Sequence, residues 1–130
     1  MITKEDILQR IVNYKVSSCD IYIGTQHHKK FHYGNPFSHL KSAKIVVKDR
    51  QEACNRFDTW LRGTSDFDVE QERRIWILNR LTLLDGKILG CVCAPKQCHG
   101  ETYLHLIDEL SSGLILIKNG IVIEWGAVSF

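Results

Sequence analysis

Apolar residues recur at helical spacing in four places along the chain, and short β-branched blocks lie between them. The first stripe is Ile7, Leu8, Ile11 and Val12, which predicts a helix over 4–14. Thr3 caps it, and Asp6 stands where a Glu or Gln would close a capping box. "CDIYIGT", Cys19 to Thr25, is a compact β-branched and aromatic block ending at a glycine, and reads as a buried strand. Residues 26–43 show no period and form a long loop. "KIVVK" is a brief strand or the approach to the next helix. Asp49 then caps a helix, with Glu52 closing its box. Ala53, Phe57, Trp60 and Leu61 form its stripe, and Gly63 stops it. Asp66 or Asp68 caps a third helix, striped by Ile77, Leu78, Leu81 and Leu84 and ended at Asp85-Gly86. "KILGCVCAP" is a second buried strand, closed by Pro95. A helix begins again near Cys98, with Tyr103, Leu106, Ile107 and Leu110 on its buried face. Two strand segments around Asn119-Gly120 predict a type I′ hairpin over 113–126.

Strands separated by helices pair in parallel through crossovers. The expected fold is therefore α/β: a small Rossmann-like three-layer domain with a short parallel sheet, extended by a C-terminal β-hairpin. The 130 residues make one domain, large enough for a core without staples. The hairpin strands are apolar on both faces, which predicts a homodimer with Trp125 and Phe130 at or near its interface.

Charge changes the picture locally. The whole chain carries +2, which gives no global nucleic-acid signature. Between His27 and Arg50, however, six basic residues face Asp49 alone, so this segment is +5 and the remainder −3. Such a patch fits an anionic ligand or a solvated lysine-rich loop. Met1 leads directly into a charged amphipathic segment, and no apolar run is long enough to span a bilayer. The five cysteines, an odd number that includes the pair Cys91 and Cys93, suit a reducing cytoplasm rather than a disulfide framework.

The chemistry concentrates in "GCVCAPKQCHG", Gly90 to Gly100. Cys91, Cys93, Cys98 and His99 would supply a Cys₃His zinc set, but the spacing is not that of two C-x2-C knuckles. A disulfide is disfavoured by compartment and by C-x-C strain. Cys98 at a helix start could be a nucleophile, with His99 and Asn35 as candidate partners. The reading that also accounts for the basic patch and the long loop is anion binding. Loops leaving parallel strands at their carboxyl ends meet on one edge of the sheet, where a helix N-terminus offers N–H groups. Lys29, Lys30, Lys41 and Lys44 would add charge there. Cys91 and Cys93 also make good small buried hydrophobes, and Asn35 before Pro36 also makes a turn.

"YIG" at Tyr22–Gly24, "GNPF" at Gly34–Phe37 and "LDGKILGCVCAPKQCHGETYL" at Leu84–Leu104 together resemble a phage-associated family of unknown function, number 4326. The resemblance covers about 20–110. Thr25, Val92 and Glu101 depart from the arginine, tryptophan and aspartate common in the family, and the first helix and the hairpin look like additions. The resemblance implies a compact α/β fold and a viral or mobile-element setting, and it carries no reaction.

The expected ligand site therefore comprises Tyr22, Gly24, Lys29, Lys30, Gly34, Asn35, Pro36, Pro95, Cys98, His99 and Gly100. Cys98, His99 and Asn35 are the catalytic candidates, and no cofactor is needed unless zinc occupies the cysteines. The expected function is binding of a nucleotide or nucleoside-like anion, with hydrolase or transferase chemistry open. The alternatives are a protein-interaction module that inhibits a host protein, and a zinc-stabilised nucleic-acid binder.

Overall fold

The computed structural model describes residues 2–25, 30–40, 45–65 and 68–124. It opens with α1, Lys4–Arg10, whose Thr3–Asp6 capping box is complete: each residue's side chain takes the other's backbone N–H, at 3.1 and 2.9 Å. The helix is shorter than its apolar stripe suggests. Ile11–Asn13 leave it as strand β1, because they pair in parallel with Leu89–Cys91, which form β5. Their β-branched side chains suit a pleated surface, and the tertiary pairing outweighs the helical period.

Ile21–Tyr22 form β2, which pairs with the other edge of β5, again in parallel. The sheet order is thus β1-β5-β2. β5 is central and buried at all three residues, which explains its unbroken apolar character. A smaller parallel pair follows, β3 at Phe37–Ser38 and β4 at Ile45–Val46. β3 is not evident from the sequence, because "GNPF" reads as a turn; "KIVVK" is the brief strand.

Helix α2, Arg50–Arg62, buries Ala53, Phe57, Trp60 and Leu61 and ends at Gly63 with φ 84°. Asp49 caps it, but Glu52 reaches past the cap to accept from the Lys48 N–H at 3.0 Å, so the box closes one residue early. Helix α3 spans Gln71–Leu78, with Glu70 rather than an aspartate at its N-cap and no side-chain cap bond. The expected stripe is buried in full, but it is split. Ile77 and Leu78 end α3, while Leu81 and Leu84 belong to a 3₁₀ turn over Leu81–Leu84. Helix α4, Gly100–Ser111, runs back over the sheet. A Cβ at Gly100 would stand 2.7 Å from Ile23 and 3.0 Å from Ile11, so glycine is what lets the start of α4 sit on β1 and on the residue that follows β2.

β6 at Ile115–Lys118 and β7 at Ile121–Glu124 form the hairpin, with Asn119 and Gly120 both at positive φ as a type I′ turn requires. The hairpin is a separate two-stranded sheet, held at its turn by Arg74, which donates to the Gly120 carbonyl. The molecule has the α/β character expected, with a short parallel sheet and an appended antiparallel hairpin. Among the described residues no helix is long and apolar enough to cross a membrane.

Candidate functional site

β2 and β5 are parallel neighbours, so the loops after Tyr22 and Cys91 leave from the same edge. The Ile23 N–H donates to the Gly90 carbonyl at 2.8 Å and continues the pairing into the first loop. The second limb of that loop returns against it. A Cβ at Gly34 would lie 3.0 Å from the Gly24 carbonyl oxygen. Gly24, Gly34, Asn35, Cys98 and His99 are thus brought together.

His99 joins the two limbs. Its Nε2 lies 2.8 Å from the Ile23 carbonyl and 3.0 Å from the Tyr33 carbonyl. Both partners only accept, so Nε2 carries the proton. The ring is buried, and burial holds its pKa below the ordinary 6.5, so the imidazole is neutral and Nδ1 is a lone-pair acceptor. Nδ1 faces Cys98 Sγ at 3.7 Å.

Two further side chains hold the same loop. The Tyr103 hydroxyl donates to the Tyr33 carbonyl at 2.5 Å. Arg73 donates to the His32 and Gly34 carbonyls at 2.9 and 2.7 Å, and Glu70 grips its other edge with both carboxylate oxygens at 3.2 Å. Asn35 is engaged at both ends of its amide, donating to the Ala53 carbonyl and accepting from the Phe37 N–H, each at 2.9 Å. It therefore shapes its own turn and ties that turn to α2.

The start of α4 is also internally satisfied. The Gly100 N–H points at Cys98 Sγ at 3.4 Å, the Glu101 N–H at the Cys98 carbonyl and the Thr102 N–H at the His99 carbonyl. The N–H groups that an anion would take are already occupied. Pro95 follows a cis peptide bond and lines a separate depression on the α1 side. Pro36 contributes its carbonyl to Ile45 in the small sheet. Tyr22 packs edge-on against Tyr14, 4.8 Å between centroids. Lys30 is exposed and pairs with Glu72 at 3.3 Å. Lys29, Lys41, Lys44, Trp125 and Phe130 lie outside the described residues.

A pocket of about 210 Å³ opens between α2, the first loop and the cysteine loop. Cys54, Cys91, Cys93, Cys98 and Arg50 all line it. A larger depression of about 630 Å³ runs along the solvent face of α2, but none of the motif residues reach it. In the smaller pocket Cys91, Cys93 and Cys98 share the wall with Arg50. The neighbouring Cys91 and Cys98 side chains, with Arg50 adding positive charge, hold the Cys93 pKa below the ordinary 9, while the Cys93 neighbour pushes Cys91 up, and the Cys91 and Cys93 neighbours together with burial push Cys98 up. Burial raises the fourth thiol, Cys54, to about 12. Among the described residues no group of three or more His, Cys, Asp or Glu side chains is disposed to hold a metal ion.

The sequence reading missed Arg50 as an individual, since it counted only toward a charge sum. It weighed Cys93 only as a zinc ligand or a buried hydrophobe. The available signal was positional: Arg50 opens the helix whose third turn carries Phe57, which packs 4.8 Å from the His99 ring. Arg73 gave no signal, because an arginine on a helix reads as solvated.

These features define a small α/β domain with a thiol-lined pocket at the carboxyl edge of its parallel sheet. The chain belongs to the DUF4326 family, a domain of unknown function, whose model matches residues 8–109. The match begins inside α1 and takes in β1, so that strand is part of the family's domain, while the hairpin lies beyond it. No curated protein and no solved structure gives a match.

Proposed function

We propose that the chain binds a small anionic ligand, nucleotide- or nucleoside-like, with its charged end in the pocket and Arg50 as the charge partner. The observation that carries this reading is Arg50 itself. It is a cation lining a half-open pocket at the sheet edge where open α/β folds hold their ligands. The pocket holds about 210 Å³, less than the roughly 300 Å³ at which sites for drug-sized molecules begin. It therefore takes a phosphate-, carboxylate- or ring-sized part of the ligand, and the rest lies outside. Lys29, Lys41 and Lys44, in the flanking segments of the sequence, supply long-range attraction.

A thermal-shift panel of nucleosides, their mono- and diphosphates and inorganic phosphate tests this at low and high salt. Phosphate-bearing ligands raise Tm, the shift shrinks as salt rises, and Arg50→Gln removes it. A shift that survives Arg50→Gln contradicts the reading.

A second copy of the chain is the partner proposed for the hairpin, where Leu114 and Ile121 are 57% and 47% exposed. Light scattering on the intact chain tests it. Dimers that Ile121→Lys converts to folded monomers support it, and monomers at tens of micromolar defeat it.

A further inference from the structure

The mouth of the pocket carries a feature that charge alone does not use. Among the lining residues Gly24, Ala53, Cys91 and Cys98 are buried, Arg50 is half-buried, and Leu40 and Val92 stand exposed, so the last two lie at the opening. Their exposure is 58% and 42%. A single exposed leucine on a surface needs no explanation. Two large aliphatic side chains at the opening of one pocket, beside its cation, make an apolar rim. The fold holds both in place. Leu40 follows β3 by two positions, and its N–H donates to Ser38 Oγ at 3.1 Å. Val92 follows β5 directly, and its carbonyl accepts from the Asn13 side-chain amide at 3.4 Å, which also reaches the Ala94 carbonyl at 3.2 Å. Among the described residues of the lining, Arg50 is the one side chain with a fixed charge.

We propose that Leu40 and Val92 clasp a flat apolar ring at the mouth while Arg50 holds an anionic head inside, so that the ligand is a nucleoside monophosphate. The inference rests on the reading of Arg50 as the charge partner of the ligand, and it names the ligand class and the residues that select it. Three observations favour this class. The pocket, about 210 Å³, admits the head and leaves the ring at the opening. One guanidinium suits one phosphoryl group, which its planar fork can take with two parallel N–H donors. Aliphatic side chains at the opening recognise a ring by its faces, as apolar side chains do for a base taken out of a stack. Their contribution comes from the apolar area that the ring and the rim remove from water.

Calorimetric titration of the full-length chain with inorganic phosphate, ribose phosphate and adenosine monophosphate tests the clasp. Leu40→Ser and Val92→Ser remove the rim. Val46→Ser is the control, because Val46 is 54% exposed and is not part of the pocket lining. All three side chains are exposed, and unliganded Tm values check that each variant folds. Adenosine monophosphate is expected to bind at least about tenfold more tightly than ribose phosphate, each rim substitution to weaken it about three- to tenfold, and the two together to abolish the advantage. Phosphate and ribose phosphate bind wild type and rim variants alike, and Val46→Ser changes nothing. Adenosine monophosphate that binds no tighter than ribose phosphate, or an advantage that survives both rim substitutions, overturns the clasp while Arg50-dependent phosphate binding stands. Binding of adenosine monophosphate that Arg50→Gln leaves unchanged overturns the reading of Arg50 and the ligand class with it, and so does a failure of all three probes to bind. Light scattering on the unliganded chain covers the remaining occupant. Dimers that Leu40→Ser or Val92→Ser dissociates would make the rim a contact between copies and overturn its role in ligand binding.

Discussion

The cysteine-histidine segment contains two regions of opposite character only a few residues apart. His99 spends its Nε2–H on main-chain carbonyls from two loop segments, Ile23 and Tyr33, and its ring is buried against Phe57 and Tyr103. With Tyr103, Arg73 and Asn35 it forms a joint in which each side chain bonds buried backbone groups. Cys93 and Arg50 sit partly exposed and line a pocket. Polar groups spent on buried backbone hold a fold together, because losing them leaves the partners unpaired. Groups partly exposed at a pocket wall are free to meet a ligand. The difference shows that residue type alone does not mark a catalytic position. A histidine beside a cysteine is the familiar catalytic pair, yet here the histidine, although it lines the same pocket, commits its Nε2–H to the backbone of the loop.

Substitutions should separate the two regions, beginning with the joint. His99→Ala removes a buried ring and leaves two carbonyls without their donor. A loss of about 3–5 kcal/mol is expected in urea unfolding, and a loss below about 1 kcal/mol would erase the distinction. Tyr103→Phe and Asn35→Ala each strand buried partners and should cost about 1–2 kcal/mol. Acid acts on the same joint. The folded pKa of His99 lies below its ordinary 6.5, so the unfolded chain takes up the proton first. The contribution of His99 is complete above pH 6.5 and is lost as pH falls from there toward the lowered folded value, by at most about 1.4 kcal/mol per pH unit. Urea midpoints of wild type and His99→Gln between pH 7 and pH 5 isolate it, because the variant lacks that slope. At the pocket the expected stability changes are smallest. Arg50→Gln should stay within about 0.5 kcal/mol of wild type while losing the ligand-induced Tm shift.

Much of the scaffold was legible from pattern. The Asp49 cap, the Gly63 stop, the Asn119-Gly120 turn and the stripe from Ile77 to Leu84 each follow from local rules, and local rules decide them. β1 and β3 were not legible, since each is three residues or fewer and owes its existence to a distant partner, β5 in one case and β4 in the other. The meeting of the two loops was inferred correctly from strand direction alone. The roles within the site were not. Whether Asn35 and His99 serve a ligand or the backbone depends on which carbonyls lie opposite, Ala53 for one and Ile23 and Tyr33 for the other, and these are 18 to 76 residues away. Arg50 is 43 positions from Cys93, and no periodicity links them.

The division between joint and pocket turns on where His99 carries its proton. Long-range ¹H–¹⁵N correlation on the imidazole nitrogens reads this directly as pH is lowered from 8 to 5. The account predicts a neutral ring with the proton on Nε2 at neutral pH, persisting below pH 6.5. A ring protonated on Nδ1, or one that titrates at or above 6.5, would contradict it and return His99 to the candidates for acid–base chemistry.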